Sequence, residues 1–380
     1  MDIPPLSEVR RLTEKKRDAW WTVLLVDPVA TPLVRWTAKW SRVTPNQITW
    51  GALFLGLGAA ACFARGDWKW LLVGAGLYHL SFILDCMDGK LARLTGRGSE
   101  FGGWLDYVFD RVRVLICAIA LMGGQYSRTG DVAYIWLALV VVFLDALRYL
   151  DALQIFKVRH SMRKKLRARA KASRRAARER ALEQQGGDER RNGDGPQDDD
   201  RQDDDQQDDD QGLTFMEDLL RENPTADIDN VPEPDGARDA SSGAAPEDGA
   251  RKTNVVDLHK EFKSRFPWYG RFRTFLLRHR IRTHLVSGIE FQMAVFIVGP
   301  VFGAVMPVTI AAGALLLMFE LAIIYKLLLS TRDFERTLAS YPVPEPAPAV
   351  PAQPGGPSEE ESAPRQEDAS QQVSAAAGPR

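Results

Sequence analysis

The sequence predicts an all-α polytopic membrane protein with about six transmembrane helices, an interfacial N-terminal helix, and a disordered cytoplasmic insert and tail. Three observations lead there. Apolar runs close to the ~20 residues that a helix needs to cross the hydrocarbon core recur along the chain. Stretches of nearly pure charge separate them, so the averages of 45% hydrophobic and 26% charged residues describe neither kind of segment. Finally, four aspartates gather where two apolar runs meet. Each charge at a bilayer centre costs roughly 2.5–3.5 kcal/mol, so such a cluster belongs near helix ends, facing a wet cavity.

Residues 1–45 read as a cytoplasmic, interfacial segment. Within it 19–40 is apolar and aromatic but broken by Asp27-Pro28 and by Pro32, which argues against a span. Trp20, Trp21, Trp36 and Trp40 suit a segment lying on the membrane surface. Thr44-Pro45-Asn46 opens the first span, with proline in or near the first turn. Spans are expected over 46–63, 70–91, 101–122 and 132–153, filling a 46–157 segment, and over 286–305 and 308–329, filling 286–330. The third is the least apolar, because Asp106, Asp110, Arg111 and Arg113 interrupt it.

The net charge of −1 is a cancellation between blocks. Lysine and arginine crowd the N-terminal arm and the run from Lys157 to Arg180, whereas the opposite loops carry only Arg65, Lys69 and Arg128. The positive-inside rule then places both termini, the 94–100 loop and the insert in the cytoplasm, in a plasma-membrane topology. The 158–285 insert begins as a basic helical extension of the fourth span, read as a solvated face attracted to anionic lipid heads. No aromatic interleaving supports nucleic-acid binding there. From 186 to 250 the chain is acidic and low in complexity, with too little apolar surface to fold apart from an amphipathic island at 213–220. Residues 251–285 are basic and aromatic, an interfacial helix leading into the fifth span, and 331–380 read as a disordered tail. Cys62, Cys86 and Cys117 lie in apolar runs at spacings that exclude CxxC-type zinc sites. The first residues lack the apolar core and small-residue site of a secretory signal.

The chemistry concentrates in Asp85-Cys86-Met87-Asp88-Gly89-Lys90-Leu91-Ala92-Arg93, followed by Gly102, Asp106 and Asp110. At helical spacing Asp85, Gly89 and Arg93 form one stripe, with Asp88 and Ala92 beside it. Gly102, Asp106 and Asp110 share a face of the next run. Two facing helices would bring four carboxylates into one small volume, which requires cations, and all-oxygen ligands favour hard ones such as Mg²⁺ or Mn²⁺. Taken alone, the small residues could equally serve close helix packing.

The pattern D-x2-D-G-x2-A-R-x8-G-x3-D-x3-D resembles the signature of the CDP-alcohol phosphotransferases (class I), integral membrane enzymes of phospholipid synthesis, and every fixed position is present. The resemblance covers roughly 30–157 and 285–335. It implies transfer of a substituted phosphoryl group, most plainly phosphatidyl from CDP-diacylglycerol, to an acceptor hydroxyl with release of CMP. Asp85, Asp88, Asp106 and Asp110 would hold two divalent cations, and Asp110, with Asp106, would serve the acceptor's proton. Gly89, Ala92, Arg93 and Asn46 would meet the nucleotide, and Arg111, Arg113 and Arg148 an anionic acceptor. A homodimer is common in the family. A transporter using the same carboxylates, or a silent scaffold, are the rival readings. Gathering the acids at one depth disfavours the first, and the intact aspartate set the second.

Overall fold

The computed structural model describes residues 4–40, 43–192, 213–216 and 254–341. Helix α1 spans Leu6–Thr13, and a widened π-type turn at Thr22–Val26 runs into α2, Asp27–Trp40. The expected breaks do not occur. Pro32 lies inside α2, and the N–H of Asp27 bonds back to Thr22 O. That loosened turn just before Pro28 gives its ring room where a regular helix would clash. With the turn that precedes it, α2 completes a continuous helical run over residues 20–40, and Trp36 and Trp40 are exposed along it.

Helices α3 (Pro45–Phe63), α4 (Trp68–Thr95), α5 (Glu100–Thr129) and α6 (Ala133–Asn192) follow. Thr44 caps α3 reciprocally: its hydroxyl accepts from Gln47 N, and the Gln47 side-chain Oε1 accepts from Thr44 N at 3.0 Å. Gly96, at φ 65°, ends α4, and the Ser99 hydroxyl accepts from Gly102 N at 3.0 Å to start α5. The two motif helices are thus joined by a short, capped turn. α3 packs tightly on both neighbours. A Cβ on Gly124 would lie 2.3 Å from Phe63 O, and one on Gly74 2.6 Å from the Phe63 ring, so only glycine permits these approaches.

α6 runs unbroken for 60 residues, so the basic stretch does extend the fourth expected span. After it, β1 (Leu213–Phe215) pairs in parallel with β2 (Asn254–Val256), then come α7 (Lys260–Arg265), α8 (Pro267–Arg278), α9 (Gly288–Val301) and α10 (Val305–Ser340). Among the described residues three helices, α4, α6 and α10, are long and apolar enough to cross a membrane. The expected span over 286–305 is a shorter apolar helix, about 21 Å long at 1.5 Å per residue.

Two buried clusters organise these elements. The larger joins α2–α6 to α9 and α10 around Phe63, Tyr78, Leu121, Phe291 and Phe296. The smaller sits beyond the apolar runs, where Phe215, Val256 and Leu258 pack on Leu166 and against Phe334, Leu338 and Tyr341. It corrects three expectations. The chain is not purely helical, since two short strands pair; 251–285 forms two short helices instead of one. And 186–250 does contribute to a core, because Phe215 is buried beneath the guanidinium groups of Arg163 and Arg167. The expected tail at 331–380 begins too early, since α10 continues through Ser340; the expected disorder of the acidic repeat and of the rest of the tail falls on residues outside those described.

Candidate functional site

The carboxylates expected to converge do line one cavity of about 390 Å³. α4 contributes Asp85, Asp88, Gly89 and Arg93, and α5 contributes Asp106, Asp110 and Arg111. α6 adds Asp145, Arg148 and Tyr149. The opposite wall comes from the N-terminal segment, through Lys15, Asp18 and Thr22, and from the chain entering α9, through Arg282, Ser287 and Gln292.

Each acid is held differently. The Thr49 hydroxyl donates to Asp88 Oδ2 at 2.6 Å. Arg113 donates to Asp85 at 3.2 Å and to Asp110 at 2.5 Å. It is almost fully buried behind the cavity, donates to Ser81 at 3.2 Å and lies over the Tyr78 ring. A Cβ on Gly56 would come within 2.7 Å of the Arg113 stem, so that glycine makes its berth. Arg111 bridges Asp110 to Asp145, and Asp145 in turn accepts from Gln292 at 2.7 Å. Asp106 enters no hydrogen bond or ion pair among the described residues.

The residues present fit a hard divalent cation in chemistry: four carboxylates face one cavity, whose lining holds no imidazole and a single sulfur, that of Cys86. Among the described residues no three such groups already stand at ligating separation. Arg111 and Arg113 occupy Asp110, and Arg113 also engages Asp85, so these contacts would be shared or exchanged on binding.

Of the other expected residues, Arg93 lines the cavity and donates to Thr13 O at 3.1 Å. A Cβ on Gly89 would meet only an Arg93 terminal nitrogen at 3.7 Å, so helix packing does not require that glycine. Ala92 and Asn46 lie outside the cavity lining. The Asn46 side-chain oxygen instead sits where a Cβ on Gly102 would fall, 2.9 Å away, which accounts for the small residue there. Arg111 and Arg148 line the cavity, the latter bound to Glu320 at 2.9 Å, whereas Arg113 lies behind the acids.

Sequence reasoning missed the opposite wall and the device that attaches it. Lys90, inside the motif but not one of its fixed positions, is buried and pairs with buried Asp27 at 2.5 Å. Arg280 reaches the same Asp27 at 3.3 Å and Glu14 at 2.6 Å. Backbone bonds Asp18 N→Arg280 O and Arg282 N→Asp18 O, both 2.9 Å, tie the N-terminal segment to the chain leading into α9. In that chain His284 is pushed down to about 4, first by burial and then by the positive charges of Lys326, Arg148, Arg159 and Arg282. Lys15 and Arg282 make this wall net positive even though Asp18 pairs with Arg282 at 3.1 Å, as the four aspartates make the motif wall net negative.

A helical membrane protein with an acid-walled cavity at the meeting of two motif helices, faced by a basic wall, is the class that this fold and site define. Residues 42–174, which hold both motif helices, match the family model of the CDP-alcohol phosphatidyltransferases. It is 37% identical over 101 residues to a phosphatidylinositol phosphate synthase of Cutibacterium acnes, covering 26% of this chain and 44% of that protein. An enzyme of the same name from Corynebacterium glutamicum is 34% identical over 90 residues, covering 23% and 37%. An archaetidylinositol phosphate synthase of Methanothermobacter thermautotrophicus is 29% identical over 102 residues, covering 27% and 47%. The matches thus span less than half the length of these relatives.

Proposed function

We propose that this chain is a membrane-embedded transferase of phospholipid synthesis, moving a phosphatidyl group from CDP-diacylglycerol to an alcohol with release of CMP. The single observation that carries this reading is the shared cavity. All four motif aspartates open into the same space as Arg111, Arg148 and Lys15. The acceptor oxygen bonds to the phosphorus that carries diacylglycerol, the bond to the CMP phosphate oxygen breaks, and the acceptor proton leaves to a carboxylate. Asp85, Asp88, Asp106 and Asp110 would hold two Mg²⁺ or Mn²⁺ ions, which when bound neutralise the pyrophosphate and polarise the reacting phosphoryl group. Asp110, with Asp106 beside it in the cavity lining, would take the proton. Gly89 leaves room for the nucleotide beside α4, Arg93 reaches phosphate oxygens, and Ala92 and Asn46 shape the approach from outside the cavity lining.

The names of the relatives favour an inositol phosphate acceptor. The cationic wall suits its phosphate: Arg111 and Arg148 already balance acids, while Lys15 enters no ion pair among the described residues. Six membrane-crossing segments with α3, α5 and α9 completing the bundle, a cytoplasmic mouth, and a homodimer in the plasma membrane belong to the same reading. The test is CMP release by the purified protein given CDP-diacylglycerol with inositol phosphate, glycerol phosphate, inositol or serine. Turnover with inositol phosphate alone is expected. Turnover only with an uncharged alcohol would overturn the acceptor reading, and no CMP with any alcohol would overturn the reaction.

A further inference from the structure

We infer that α8 is a docking surface for anionic phospholipid headgroups, which anchors the cationic wall of the cavity to the bilayer. Trp268, Arg271, Phe275 and Arg278 recur at helical spacing and are all exposed, while Leu276 and Leu277 are buried on the other side. Trp268 is 56% exposed and Phe275 60%, unusual for large aromatics that face only water. The helix, PWYGRFRTFLLR, contains arginines and no acid. Aromatic rings level with the headgroups and guanidinium groups on phosphates are what such an alternating stripe fits.

Its depth agrees. Apart from buried Glu320, which pairs with Arg148, α10 carries no charge before Tyr325 and Lys326, which mark the edge of a bilayer-crossing run. Arg265 donates to the Tyr325 hydroxyl at 2.7 Å, and Lys326 lies over the rings of Phe262 and Tyr269. α7 and α8 therefore sit at the level where hydrocarbon gives way to headgroups. The end of α8 leads directly into Arg280, which grips Glu14 and Asp27, and on to Arg282 in the cavity wall. Lipid bound along α8 would hold this wall closed against the motif helices. The inference rests on the membrane placement of α10 and not on the transfer chemistry.

Amide hydrogen exchange of the full-length protein tests it, in nanodiscs of phosphatidylcholine alone or mixed with phosphatidylglycerol. Exchange across 267–287 should slow about tenfold or more in the anionic discs, given the attraction of each arginine near a charged leaflet. R271E combined with R278E should remove that lipid dependence and leave exchange in α4 and α5 unchanged. W268S combined with F275S should weaken protection in both kinds of disc. Equal protection in both lipids, or a charge-reversed variant that keeps the lipid dependence, would overturn the inference. CMP release is read separately, so failure of the proposed reaction cannot be mistaken for failure of this surface.

Discussion

The two walls of the cavity differ in how they are built. The motif wall comes from two consecutive helices joined by a capped turn, and its acids repeat every three or four residues. The opposite wall is assembled from residues 15–22 and 282–292, far apart in the chain and joined through Asp18, Arg280 and Arg282. The first is anionic and the second cationic. In the proposed reaction the difference would divide the labour, with the helix pair serving the phosphoryl transfer and the wall held by long-range ion pairs serving the acceptor.

The largest effect is expected where the two walls meet. Lys90→Met leaves Asp27 buried beside Arg280 alone, and breaking a buried pair from one side costs about 3–5 kcal/mol. Thermal unfolding in detergent should fall sharply, and Lys90→Met with Asp27→Leu should recover much of the loss. A single variant as stable as the parent would mean that the walls are not joined here.

Next come the acids. Asp85→Asn, Asp88→Asn, Asp106→Asn or Asp110→Asn should each lower CMP release by about 10²–10³-fold or more, on the scale of other lost electrostatic contacts in active sites. Folding should persist, and chelation should abolish the parent's activity. Full turnover in chelator would remove the cations from the proposal.

A smaller and more selective effect is expected opposite. Lys15→Ala or Arg282→Ala should raise the KM for a phosphorylated acceptor about tenfold, the scale of one charge-assisted contact, with the KM for CDP-diacylglycerol unchanged. An equal rise in both would erase the distinction between the walls.

The smallest concerns His284. Its folded pKa, about 4, lies below the unfolded value near 6.5, so the unfolded chain binds more protons between them and stability falls as pH drops through that window. From pH 7 to 5.5 the loss is about 1 kcal/mol, read as a lowered melting temperature that His284→Asn should blunt.

How much was legible follows from the same contrast. The motif could be read because helical periodicity alone puts Asp85 beside Gly89 and Asp106 beside Asp110. α6 and its basic extension were legible for a similar reason, since nothing in that run breaks a helix. Lys15, Arg282 and Gln292 were not, because their meaning comes from a tertiary contact and each looks like an ordinary polar residue in its own segment. Pro28 and Pro32 misled for a physical reason. Sequence shows a proline's missing donor but not the widened turn at Thr22–Val26 that accommodates it. The β1–β2 pair escaped notice because three-residue strands carry no periodicity, and only the burial of Phe215 reveals their purpose.

The length of α6 carries a last consequence. Sixty residues of uninterrupted helix measure about 90 Å, against roughly 30 Å of hydrocarbon, so about 60 Å of it is a mast standing clear of the bilayer. Yet Phe215 packs on Leu166, about 39 Å back along the same helix and under Arg163 and Arg167, so the chain rejoins the basic shaft of the mast and not its tip.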